Sequence, residues 1–155
     1  MIELDATDKR ILKELQEDAK INIKDLADKL KLTKTPVYER IRRLENSGII
    51  RKYVALIDRE YLERRMVVFC SVSLESQQLE RIKAFASAVS AIPEVLECYL
   101  LGGANDFMLK VVVKDLDAYH QFSSGILAAL PNVAQIKSTF VLNEVKHTTA
   151  YPLSI

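Results

Sequence analysis

Two stretches of this 155-residue chain carry side chains whose types and spacing could do chemistry. The first is Leu32 to Gly48, LTKTPVYERIRRLENSG, followed closely by Arg51 and Lys52. At helical pitch Val37, Ile41 and Leu44 share one side, while Thr35, Glu39, Arg42 and Asn46 share the other, with Tyr38 and Arg43 on its flanks. A helix face with hydrogen-bonding and cationic groups suits base edges in a DNA groove and the phosphates beside them. By position, Lys34, Thr35, Tyr38 and Arg42 are expected at base edges, with Thr33 at the helix start. Arg43, Arg51 and Lys52 are expected at phosphates. Glu39 has two readings, accepting from a cytosine amino group or orienting Arg42 or Arg43. The bland alternative is a solvated basic face, its arginines paired with Glu39, Glu45 or Asn46.

The second stretch is Gly102-Gly103-Ala104-Asn105-Asp106. As a hairpin turn it needs only glycine's access to positive φ and the turn tolerance of Asn and Asp. As a ligand site it offers backbone N–H groups to a carboxylate and the Asp106 side chain to an ammonium group, which together suit a free amino acid.

Catalysis and metal chemistry find little support elsewhere. His120 and His147 are isolated, and neither a Ser-His-Asp or Cys-His order, nor a P-loop, nor a zinc spacing stands out. Cys70 and Cys98 lie in apolar, strand-like runs and read as buried thiols. No apolar run approaches the roughly 18 residues of a membrane span, and MIELDATDKR lacks the order of a signal peptide. A cytoplasmic protein without metal or cofactor is expected. Formal net charge is only +1, but Lys31 to Lys52 holds seven Lys or Arg against two Glu, concentrating positive charge around the first stretch.

The elements that must position these residues follow from periodicity. Leu4, Ile11, Leu12, Leu15 and Ala19 stripe a first helix, with Asp5 or Thr7 as its cap. Ile23, Leu26, Ala27 and Leu30 stripe a second, capped by Asn22. A tight turn then leads into the third, capped by Thr33, with Pro36 in its first turn and Gly48 at its end. This is the helix-turn-helix arrangement, in which the third helix reads the groove. Alternation over residues 49–55 predicts a strand or small wing, and the polar residues 58–65 a linker.

Beyond the linker, strands are expected over 66–74, 95–101, 107–113 and 133–145, and helices over 77–91 and 116–130. The last helix would bury Tyr119, Phe122, Ile126 and Leu130. The fold class is therefore α+β: a winged helix-turn-helix over 1–57 and a βαββαβ ferredoxin-like sandwich over 66–155. Because both parities of the strands carry apolar side chains, the sheet face opposite the helices is expected to be covered by a second copy.

Asp5-x-x-Asp8, Asp25-Leu26-Ala27, the run Thr33-x-x-x-Val37-x-x-Arg40-Ile41-x-x-Leu44-Glu45-x-x-Gly48-x-Ile50, Gly103-x-x-Asp106 and Glu144-Val145-Lys146 span nearly the whole chain. Together they resemble the Lrp/AsnC, or feast/famine, family of transcription regulators. The resemblance implies an N-terminal part that binds double-stranded DNA, a sandwich that pairs into homodimers and assembles further to octamers, and an amino acid effector held between dimers. It also implies that Gly103 and Asp106 are effector-loop residues and that Ser138 supplies a hydroxyl from the last strand. Two positions depart from the family pattern. Glu63-Arg64-Arg65 stands where a glycine is common after the linker, and Ala104-Asn105 where an acidic and an aromatic residue are common. The rival readings are an architectural DNA-binding protein without effector and an amino-acid sensor whose DNA contacts are secondary.

Overall fold

The computed structural model describes residues 3–63 and 66–154. Its contacts form two compact units, Met1–Leu56 with Lys146–Ile155, and Ile57–Val145. The tail, expected with the sandwich, groups with the helices. Gln16 holds it there, its Nε2 donating to the Tyr151 carbonyl at 3.1 Å and its Oε1 accepting from the Tyr151 N–H at 2.7 Å.

The first unit contains α1 (Ala6–Glu17), α2 (Ile23–Leu30) and α3 (Lys34–Asn46). Each start has a local cause. Asp5 and Asp8 form a reciprocal capping box at α1, and Asn22 accepts from the Asp25 N–H at 2.9 Å at α2. Lys31 turns the chain in the left-handed conformation, φ 57°, so that α3 can begin three residues later. Gly48, at φ +76°, stops α3 where a side chain would be strained. Ile11, Leu26, Ala27, Leu30, Val37, Ile41 and Leu44 form the core of the unit, with Ile50 packed against it.

The expected strand over 49–55 does not form. Residues 51–58 have no sheet partner among the described residues. What fixes the start of this segment is the Ile50 N–H donating to the Leu44 carbonyl at 3.0 Å, and Tyr53 donating to Glu45 Oε1 at 2.9 Å. Burial, reinforced by Glu45, pushes the Tyr53 phenol up to about 12. The expected linker over 58–65 contains a single 3-10 turn, Arg59–Tyr61, and its Arg64 and Arg65 lie outside the described residues.

The second unit is built from β1 (Met66–Leu74), α4 (Leu79–Ser90), β2 (Val95–Leu100), β3 (Phe107–Val113), α5 (Leu116–Gln121) and β4 (Val133–Phe140). The strands lie in the order β2-β3-β1-β4, each antiparallel to its neighbours, which is the ferredoxin-like arrangement. Val68, Cys70, Val72, Phe85, Val89, Leu109 and Val111 are among the residues of one core. Its other sheet face is mixed, with Phe69, Ser71 and Met108 half-buried and Lys110 donating to Glu97 at 3.0 Å. Cys70 and Cys98 both pair with Leu109 across β3, so roughly 10 Å separates the free thiols, beyond disulfide reach.

Two expectations shift. The last strand stops at Phe140 rather than running to 145, since Phe140 pairs with Val68 and β1 begins only at Met66. The expected helix 116–130 is α-helical only to Gln121 and then widens into a π turn, Phe122–Leu127. Ser123 and Ser124 both donate to the His120 carbonyl, competing with the main chain, and Gly125 adds little helix preference. The wider turn moves the stripe by one residue. Leu127 is buried and Ile126, expected inside, is 44% exposed.

Candidate DNA-reading face and effector loop

The outer face of α3 presents Tyr38, Glu39, Arg42, Arg43, Asn46 and Ser47 around a shallow concavity. Tyr38 is 51% exposed, and Lys34, Thr35, Glu39 and Arg42 are exposed as well. Among the described residues, Glu39 and Arg42 have no ion-pair or hydrogen-bonding partner through their side chains, nor do Arg51 and Lys52, which lie exposed beyond Gly48. Thr33 occupies the N-cap position but makes no capping bond with its side chain, and the residue is exposed.

The arginines separate into two sets. Arg42 points out. Arg40, by contrast, reaches Asp5 Oδ2 at 2.6 Å and Asp8 Oδ1 at 2.7 Å, and Arg43, expected at a phosphate, donates to Asp8 Oδ2. Their partners are on α1, not at helical spacing on α3 as the bland reading would have it. Asp8 is fully buried, the charged side chain in an otherwise apolar core. The Asp8 N–H bond and then the Arg40 guanidinium hold the Asp5 carboxyl below its usual range, while Asp5 and then Asp8 raise Arg40. Sequence reasoning missed this cluster, although it left a signal. Asp8 falls on the same helical stripe as Leu4, Ile11, Leu12 and Leu15, and a carboxylate in a core stripe demands a buried cation.

The second candidate is arranged differently. Leu101 to Asp106 closes the β2–β3 connection, the Leu101 N–H donating to the Asp106 carbonyl at 2.8 Å. Asp106 Oδ2 accepts from the Leu74 N–H at 2.7 Å, and Ser73 Oγ lies 3.3 Å from Asn105 Oδ1. Neither Gly102 nor Gly103 takes a positive φ, and a Cβ at either would meet nothing within 4 Å. Ala104, like the glycines, is exposed. Ser138 is not brought to this loop. It pairs with Cys70, four residues along β1 from Leu74 and therefore roughly 13 Å away, and its hydroxyl bonds the buried Tyr119 phenol. Tyr119 also lies 3.2 Å from Cys70 Sγ, and burial pushes the phenol up to about 12.

A helix-turn-helix with an unpaired polar outer face, carried on the same chain as a ferredoxin-like domain, defines a DNA-binding regulator with a sensory domain. Residues 4–51 match the winged helix-turn-helix DNA-binding family, and residues 67–151 match the Lrp/AsnC ligand binding domain. The chain is 43% identical over 153 residues to the Bkd operon transcriptional regulator of Pseudomonas aeruginosa, covering 99% of this chain and all of that one. It is 36% identical over 146 residues to the leucine-responsive regulatory protein of Escherichia coli K12, covering 94% of this chain and 89% of that one. A Neisseria meningitidis regulator solved in complex with L-Met superposes with a TM-score of 0.91 at 35% identity, covering 97% of both chains. An AsnC family regulator from Agrobacterium tumefaciens gives 0.91 at 38%, covering 96% of this chain and 97% of that one. The chain belongs to the Lrp/AsnC family of transcription regulators. It is a DNA-binding protein with a ligand-binding domain, not an enzyme. No helix among the described residues is long and apolar enough to cross a membrane.

Proposed function

We propose that the protein is a cytoplasmic, sequence-specific regulator whose operator affinity or assembly responds to an amino acid effector. Two copies present their α3 helices to half-sites in successive major grooves. Lys34, Thr35, Tyr38 and Arg42 read base edges, Thr33 lies at the entry, Glu39 accepts from a cytosine amino group, and Arg51 and Lys52 meet phosphates. The observation that carries this reading is that Arg42 and Glu39 face outward with no partner among the described residues, while Arg40 and the half-exposed Arg43 are ion-paired to Asp8. Arg42→Ala is expected to weaken binding to the preferred operator by about 1–3 kcal/mol while leaving thermal stability unchanged. Unchanged operator affinity would remove Arg42 from the groove.

The effector is held at Gly102 to Asp106. Both glycines are free of local steric need, which supports close approach by a ligand or a neighbouring copy as the reason for them. The names of the relatives, leucine-responsive and solved with L-Met, favour an apolar amino acid. Since Ser138 lies roughly 13 Å from the loop in one chain, a site using both requires a second copy. This favours a homodimer that assembles further, to an octamer. A thermal-shift screen against the twenty amino acids tests the reading, since a ligand of the folded state raises apparent stability. Gly103→Ala should keep the parent's melting temperature and lose the shift. No shift with any amino acid would favour an effector-free DNA-binding protein.

A further inference from the structure

We propose that Asp8 is a positioning residue for DNA reading, engaging Arg40 and the half-exposed Arg43 in ion pairs in place of phosphate contacts and fixing the rotation of α3 so that Arg42 meets the groove. The inference rests on α3 being the reading helix, and its geometry lies within the helical unit alone.

Asp8 is fully buried and both its carboxylate oxygens are engaged by α3, Oδ1 by Arg40 at 2.7 Å and Oδ2 by Arg43. Oδ2 also accepts from the Asp5 N–H at 3.2 Å, and Asp5 in turn binds Arg40 at 2.6 Å. The first turn of α1 and the middle of α3 are thereby joined by charge-assisted bonds from successive turns, Arg40 and Arg43 lying three residues apart. At roughly 100° per residue, Arg42 projects well away from both. Rolling α3 about its axis would break these bonds and strand a buried carboxylate, so its rotation is strongly determined.

The charges match as well. Two carboxylates face two guanidiniums, so this flank is close to neutral although the segment from Lys31 to Lys52 is basic. The cations of that segment outside the cluster are Lys31, Lys34, Arg42, Arg51 and Lys52. Asp8 in this way favours discrimination over sequence-independent affinity, because phosphate contacts carry no base information.

The test compares two duplexes of equal length, one selected by the parent protein from a random pool and one scrambled, each titrated across a range of salt. Arg43→Gln is expected to leave the salt slope on the scrambled duplex unchanged and to lower the selected-to-scrambled ratio several-fold. Asp8→Asn is expected to release Arg43, steepening that slope by about 0.9, and to lower the ratio about tenfold. The Asp8→Asn/Arg43→Gln pair should return the slope to the parent value, which a general loss of structure would not do. If Arg43→Gln lowers the slope by about 0.9 with the ratio unchanged, Arg43 is a phosphate contact and the proposal is overturned. An Asp8→Asn protein with the parent's slope and ratio overturns it equally. If Asp8→Asn does not fold, the Arg43→Gln slope decides. Arg42→Ala, run alongside, separates the two readings: an unchanged ratio there removes α3 as the reading helix whatever Arg43 does.

Discussion

The outer face of α3 and the Gly102–Asp106 loop are both polar, but the side chains of one point to solvent while those of the other are occupied at home. On α3 the inward contacts are made by Val37, Ile41, Leu44 and the Arg40–Arg43 pair, so Tyr38, Glu39 and Arg42 need no part in holding the fold. In the loop, Asp106 and Asn105 bind the end of β1, and what faces outward is backbone flanked by two glycines. On the proposed reading, the face of α3 needs no residue from a second chain. By the same reading, the loop is one half of a site that a ligand or another copy completes.

The largest expected effect falls on the fixed part of the first region. Asp8→Ala would remove the acceptor of bonds from Arg40, Arg43 and the Asp5 N–H, and with both guanidiniums partly exposed should destabilise the helical unit by about 2–4 kcal/mol in chemical denaturation. A loss under about 1 kcal/mol would mean that the cluster does not hold α3. In the second region Asp106→Ala removes the acceptor of the Leu74 N–H, a charged hydrogen bond, and should cost about 1.5–3 kcal/mol while also abolishing any amino acid shift. If stability were lost and the ligand response kept, Asp106 would be a structural staple alone, and the contrast with Arg42 would become sharper still.

Acid should act on the helical unit through Asp5. Its folded pKa lies below the ordinary 3.8, chiefly through the Asp8 N–H and then Arg40. The stability it contributes is therefore fully present above the ordinary carboxylate range and is lost as pH falls through 3.8 toward the folded value. Denaturation curves from neutral pH down to about pH 3 should show this loss, and Asp5→Asn should flatten it. An equal acid slope in the variant would assign the effect to other carboxylates.

Much of the fold was legible because its elements are marked locally. Asp5 and Asn22 cap where an acceptor precedes a stripe, and β1 and β3 have the bounds their apolar runs predict. What escaped depends on groups distant in sequence or on competition within a turn. The segment after Gly48 alternates like a strand, yet a strand needs a partner, and none is present among the described residues. The π turn arises from two serines competing for one carbonyl, a contest that apolar periodicity does not encode. At the sites, the polar face of α3 was readable from pitch, but the bond from Arg43 to Asp8 was not, because Asp8 lies 35 residues away. Asp106 had a chemical rationale and Ser138 was implied by the family resemblance alone; only the strand register shows how far apart one chain holds them.

The smallest expected effect bears on the same contrast, because it asks whether a polar residue at the edge of the reading face serves the fold or the ligand. Thr33 and Asn22 both sit at helix N-caps with extended backbone, φ −85° and −75°. Asn22 accepts from the Asp25 N–H, so Asn22→Ala should lower stability by about 1 kcal/mol. Thr33 makes no such bond. Thr33→Ala should therefore stay within about 0.5 kcal/mol of the parent, the range of a surface substitution free of such features. The same variant should weaken binding to the selected duplex if the hydroxyl meets DNA at the helix entry. A stability loss equal to that of Asn22→Ala would show the hydroxyl capping α3 in solution, and would move Thr33 from the reading face to the scaffold.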